Sequence, residues 1–180
     1  MKKVLLPVLA LVLSANAYHA MAANGTVKFT GEIKESTCEV TSDNKNKTVY
    51  IGTYPTSNFD EIGAFTASKG FQISLTGCEA GDYSLRFDGK TVPNHFNLLS
   101  VSSDGAAGPA ATGVGIEITD NNGKPFAIAD GTDSSDDVPK ATIGSDGTAV
   151  FNLKARYRSF EKPVKGGNAN ATSTFSIEYK

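Results

Sequence analysis

Apolar and polar positions alternate with period two through most of this chain, the pattern of strands with one face buried and the other wet. The clearest runs are Val27, Phe29 and Ile33; Phe71, Ile73 and Leu75; Tyr83, Leu85 and Phe87; Val114, Ile116 and Ile118; Phe151, Leu153, Ala155 and Tyr157; and Phe175, Ile177 and Tyr179. Turn chemistry separates them at Gly81-Asp82, Asp88-Gly89, Asp104-Gly105, Asp120-Asn121-Asn122-Gly123, Ser145-Asp146-Gly147 and Gly166-Gly167. Residues 102–112 and the acidic stretch 130–137 read as loops, and a short helix fits only around 58–66. Many short strands with regular turns predict an all-β sandwich or barrel.

The first residues change that picture only by subtraction. Lys2 and Lys3, the apolar run from Val4 to Leu13 and the small residues ending at Ala20-Met21-Ala22 have the three parts of a secretory signal, so 1–22 is expected to be removed. Cleavage after Ala22 and cleavage after Ala23 both fit. The apolar run is about half the roughly 20 residues a membrane-crossing helix needs, so the chain is not expected to be membrane-embedded. What remains suits one domain. Losing Lys2 and Lys3 leaves 15 basic against 19 acidic side chains, a formal charge of about −4, which argues against nucleic acid as a partner.

Two cysteines, Cys38 and Cys78, sit in a chain addressed to an oxidising compartment, and one disulfide between them is expected. Catalytic candidates fall away one at a time. His95 is the sole histidine behind the leader and matches no nucleophile motif. Asp130, Asp133, Asp136 and Asp137 lack the spacing of a calcium loop. Gly113-Val114-Gly115 runs into strand-like sequence rather than a helix, so a phosphate-binding reading fails. Asn122-Gly123 reads as a type I′ hairpin turn. Arg156, Arg158, Lys162 and Lys165 read as an exposed strand and loop. No cofactor or metal site is expected, and an enzyme is not.

Alternation begins almost at the expected mature N-terminus and runs to the last residues. Chain ends fray unless tied down, so so early a strand, Gly25-Thr26-Val27-Lys28-Phe29, joins either its own sheet or another molecule's, the second being β-augmentation. At this point the residue pattern resembles the subunits of bacterial chaperone–usher fimbriae, the pilins of type 1 and P pili. The resemblance is carried, in order, by G-x-V-x-F-x-G-x-I from Gly25 to Ile33, Thr37-Cys38, F-x-I-x-L-x-x-C from Phe71 to Cys78, Gly113-Val114-Gly115-Ile116 with the Asp120 to Gly123 turn, Ala155-Arg156-Tyr157, Gly167-Asn168-Ala169-Asn170-Ala171, and Phe175-Ser176-Ile177-Glu178-Tyr179-Lys180.

The resemblance implies an incomplete immunoglobulin-like β-sandwich, the pilin fold, occupying 34–180 and lacking its final strand. It implies that 23–33 is an N-terminal extension running into the first strand. Ala23, Gly25, Val27, Phe29 and Gly31 would form the donor strand that fills a neighbour's groove, with Val27 and Phe29 inserted. Phe175, Ile177, Tyr179 and Lys180 would form the C-terminal strand beside that groove. The implied partners are other copies of the chain and other pilus subunits, a periplasmic chaperone and an outer-membrane usher, and the implied destination is a surface fimbria reached through the periplasm. A stand-alone carbohydrate-binding sandwich is the alternative class, and it needs no free N-terminal strand.

Overall fold

The computed structural model describes residues 26–33, 38–129 and 137–179. The chain divides into two compact units between Lys34 and Glu35. In the first, the described residues 26–33 belong to no helix or strand, although the sequence alternates there. A ladder needs a partner as well as a pattern.

The second unit is all-β, with ten strands among its described residues: β1 (Glu39–Val40), β2 (Lys69–Thr76), β3 (Gly81–Asp88), β4 (Thr91–Val92), β5 (His95–Ser100), β6 (Val114–Thr119), β7 (Ile128–Ala129), β8 (Lys140–Ile143), β9 (Ala149–Ser159) and β10 (Thr174–Tyr179). Six form one sheet in the order β1-β2-β9-β6-β5-β4, and the second sheet has the order β10-β3-β7 with β8 also on β3. β9 is long enough to serve two neighbours: its first half pairs antiparallel with β2 from Lys69↔Ala155 to Leu75↔Ala149, its second half with β6 from Val114↔Ser159 to Thr119↔Lys154.

The core lies between the sheets. Ile73, Leu75, Ile116, Ile118, Phe151 and Leu153 reach it from the large sheet, and Tyr83, Leu85, Phe87, Ile128 and Ile143 from the small one. These are the positions that alternation marks, because every second side chain of a strand points to the same face.

The single short helix near 58–66 becomes a 3-10 turn at Thr56–Phe59, four residues that bury Phe59, while a four-residue α-helix at Ser42–Lys45 had no periodic signal at all. The turn after β6 also differs from expectation. Only Gly123 has positive φ, 86°, whereas a type I′ turn needs two such residues. Asp120 instead accepts the backbone N–H groups of Asn122 and Lys124 on Oδ1, each at 2.8 Å, and its carbonyl accepts Gly123 N–H. The side chain therefore organises a wider loop that closes on a left-handed glycine.

Candidate functional site: an open sheet edge and its cleft

The second half of the site candidates sits on β10. It runs antiparallel to β3 over six rungs, from Thr174↔Asp88 to Tyr179↔Tyr83. Its inward side chains extend the core: Phe175 meets Phe87 with ring centroids 6.4 Å apart, and Ile177 is half-buried against the same cluster. Tyr179 stands edge-on to Tyr83 at 5.2 Å and is 62% exposed. On the other face Glu178 Oε1 accepts the Arg86 Nε–H at 2.9 Å. Two ring pairs and one ion pair thus fix this strand to β3. Along its other edge, no strand pairs with it among the described residues.

A cleft of 740 Å³ opens where β10 begins. One wall is 47–54, a stretch with no ladder whose Val49 and Ile51 turn toward the core. The other wall is 164–173, and Val114, Ile116 and Tyr157 make the floor. The Tyr157 hydroxyl donates to the Ala169 carbonyl at 3.1 Å and its ring meets Tyr54 edge-on at 6.2 Å, so one side chain joins both walls. Burial raises the Tyr157 pKa above the ordinary tyrosine value, with the neighbouring Tyr50 and Tyr54 adding to it. Second-wall geometry rests on backbone: Ala111 N–H donates to the Asn168 carbonyl at 2.8 Å, Asn168 N–H to the Pro109 carbonyl at 2.9 Å, and Ser102 and Asn170 bond both ways. A pocket of this size with an apolar floor suits a chain segment or a small ligand.

The other sequence-marked residues are placed as follows. Val27 and Phe29 are 74% and 90% exposed, and a Cβ on Gly31 would meet nothing within 4 Å. Ala23, Gly25 and Lys180 lie outside the described residues, as do the acidic positions Asp130, Asp133 and Asp136. Cys38 and Cys78 are joined by a disulfide, their Cα atoms 3.9 Å apart, which ties the start of the large sheet to the end of β2. His95 packs on Phe160 at 5.6 Å. Asp137 pairs with Lys124 at 2.7 Å. Among the described residues, no three His, Cys, Asp or Glu side chains come together as a metal site, and no helix is long and apolar enough to cross a membrane.

Arg156 and Arg158 are not the exposed pair that the sequence suggests. Glu117, fully buried, takes Arg156 on Oε2 and Arg158 on Oε1, both at 2.7 Å, and Arg156 lies under the Phe65 ring at 3.9 Å. The cations neutralise a buried carboxylate. What sequence reasoning missed is the wall at 47–54, where only Val49 and Ile51 alternate, too short a run to register as a strand.

The described residues thus form a two-sheet β protein whose β10 keeps one edge open beside a cleft. The family model of fimbrial proteins matches residues 27–180, and the chain belongs to that family. A type-1 fimbrial protein subunit of Serratia marcescens is 71% identical over 180 residues, covering all of both chains. Long polar fimbria protein A of Salmonella typhimurium is 34% identical over 100% of this chain and 98% of its own. Among solved structures, the P pilus rod subunit PapA superposes with a TM-score of 0.63 at 20% identity, over 79% of this chain and 99% of its own, a likeness of fold. A type I fimbria protein of Burkholderia pseudomallei superposes at 0.56 with 30% identity, over 86% of this chain and 97% of its own. The chain has the pilin fold and is a structural subunit of a surface fimbria, not an enzyme.

Proposed function

We propose that the subunit polymerises head to tail by donor-strand exchange, residues 23–31 of one copy entering the cleft of the next and pairing with the open edge of β10. The observation that carries this reading is that edge: a strand held on one side by six rungs to β3, with no strand on its other side among the described residues, beside a cleft floored by Val114, Ile116 and Tyr157. An unpaired row of N–H and C=O groups is a template for another chain. The exposed Val27 and Phe29 are two apart, so both face the same side of an inserted strand, and Lys28 and Thr26 face away. Gly25 fits a point where the groove leaves no room for a side chain, with Ala23 outermost and Gly31 at the inner end.

In this reading a periplasmic chaperone lends a strand to the same edge before assembly, engaging Phe175, Ile177, Tyr179 and Lys180. An outer-membrane usher then exchanges that strand for the next subunit's extension, and the finished fibre supports adhesion. The test is Val27→Asp and Phe29→Asp, each introducing a carboxylate that costs several kcal/mol to bury unneutralised. Loss of fibres, with subunit still present in the periplasm, is expected by electron microscopy and fractionation; normal fibres from either variant overturn the assignment.

A further inference from the structure

A second cleft, of 440 Å³, shares the 47–50 stretch with the first, where that stretch passes the first residues of β2. Beyond 47–50 its lining differs from that of the larger cleft, which includes Asp104. Lys47 and Lys69 are both exposed there and no acidic side chain lines it among the described residues. Gln72 and Asn152, paired across β2 and β9, hold each other at 2.7 Å, the Gln72 amide donating to Asn152 Oδ1. That bond leaves one Gln72 N–H, the Gln72 carbonyl and the Asn152 NH₂ for a ligand. Tyr50 is 73% exposed, and its hydroxyl lies 3.2 Å from Thr53 Oγ1, which fixes the ring at the cleft's edge. Lys154 holds the carbonyl of Asn121, a lining residue, at 2.7 Å.

We propose that this cleft binds an acidic saccharide, a sugar carrying a carboxylate or sulfate. The chemistry divides among the residues. Lys47, and Lys69 reaching round the β2 edge from the face opposite Gln72, supply compact positive charge for the anionic group. Gln72 and Asn152 offer both donors and acceptors, which hydroxyl groups require and a bare phosphate or sulfate does not use. The Tyr50 ring gives an apolar face for the C–H side of a pyranose while its hydroxyl stays wet. A volume of 440 Å³ lies within the range of small-ligand sites. The formal charge of about −4 on the chain without its leader opposes long polyanions such as nucleic acid, so the attraction is local to the cleft.

The site shares residues 47–50 with a wall of the larger cleft but needs neither Val27 nor Phe29, so its failure and the failure of the assembly reading are distinguishable. The test titrates the purified protein with a sulfated, uronate-containing disaccharide, a neutral disaccharide and inorganic sulfate, following backbone amide shifts. Shifts are expected at 47–50, 69–72 and Asn152 with the acidic sugar. Lys47→Ala combined with Lys69→Ala is expected to weaken its binding at least about tenfold, added salt to weaken it as well, and Tyr50→Ala to weaken it without moving the thermal midpoint. Equal binding of the neutral sugar, equal binding of sulfate alone, shifts elsewhere, or no shift up to about 10 mM ligand would each overturn the proposal.

Discussion

Glu117 accepts the Arg156 guanidinium at 2.7 Å in a position with no solvent exposure of the carboxylate, and Arg158 completes the neutralisation from two residues further along β9. Asn97 of β5 adds a hydrogen bond at 3.3 Å, so strands β5, β6 and β9 converge on one side chain. Removing one partner of such a pair leaves a buried charge uncompensated, at about 3 to 5 kcal/mol. Glu117→Ala is therefore expected to lower the unfolding free energy by that order in urea titration, whereas Glu117→Met with Arg156→Leu recovers most of it. A Glu117→Ala protein of unchanged urea midpoint would show that the pair contributes nothing.

That network also marks where the sequence stopped being legible. The strands β2, β3, β6, β9 and β10 were readable because apolar residues recur at every second position in each. Every residue of β6 is buried, Gly115, Glu117 and Thr119 included, and nothing local to Glu117 reveals that its cations stand 39 and 41 positions away. In β5 the adjacent Leu98 and Leu99 are both buried, which breaks alternation and hid the strand. The open edge of β10 is a property of topology: the residues 175, 177 and 179 could be marked as a strand, but what lies beside them is decided by pairing with β3 and by the unladdered wall at 47–54. Family resemblance supplied that relation before geometry did.

The disulfide between Cys38 and Cys78 closes a loop of sequence separation 40, and in the chain-entropy picture such a closure stabilises by about 4 kcal/mol. Cys38→Ser with Cys78→Ser is expected to lower the thermal midpoint sharply and to reduce the amount of subunit recovered from cells. Calorimetry on the oxidised protein and the double variant, side by side, measures it; equal midpoints would make the bridge dispensable.

Two glycines offer a matched pair. A Cβ at Gly167 would fall 2.6 Å from the Pro109 oxygen, the Ala110 carbonyl carbon and the Ala111 nitrogen, all backbone atoms that cannot swing aside, whereas one at Gly31 would meet nothing within 4 Å. Gly167→Ala should push 164–173 off 109–112, distorting a wall of the large cleft, at about 1 to 3 kcal/mol. Gly31→Ala should leave the unfolding midpoint where it is. Denaturation curves of the two variants are the measurement, and a Gly167→Ala curve that overlays the parent's would mean the two loops are not packed as closely as described.

Tyr83 gives the fold an alkaline limit. Its hydroxyl donates to the Glu79 carbonyl at 3.1 Å, and its ring lies under Tyr179 at 5.2 Å. Burial raises its pKa above the ordinary tyrosine value of 10.0, and Tyr179 and Glu79 push in the same direction against the smaller opposing effect of the Glu79 backbone bond. A raised folded-state pKa means that the unfolded chain gives up this proton first. The associated stability is complete below pH 10 and is lost as pH climbs from there through the folded-state value. Tyr157, raised for the same reason, acts in the same window. Urea midpoints measured from pH 8 to about 11 should therefore fall beyond pH 10, less steeply for Tyr83→Phe and least for the double variant with Tyr157→Phe. Tyr83→Phe begins from a lower midpoint at pH 8, having lost its bond to Glu79. Parallel curves for parent and variants across that range would show that neither hydroxyl is linked to unfolding.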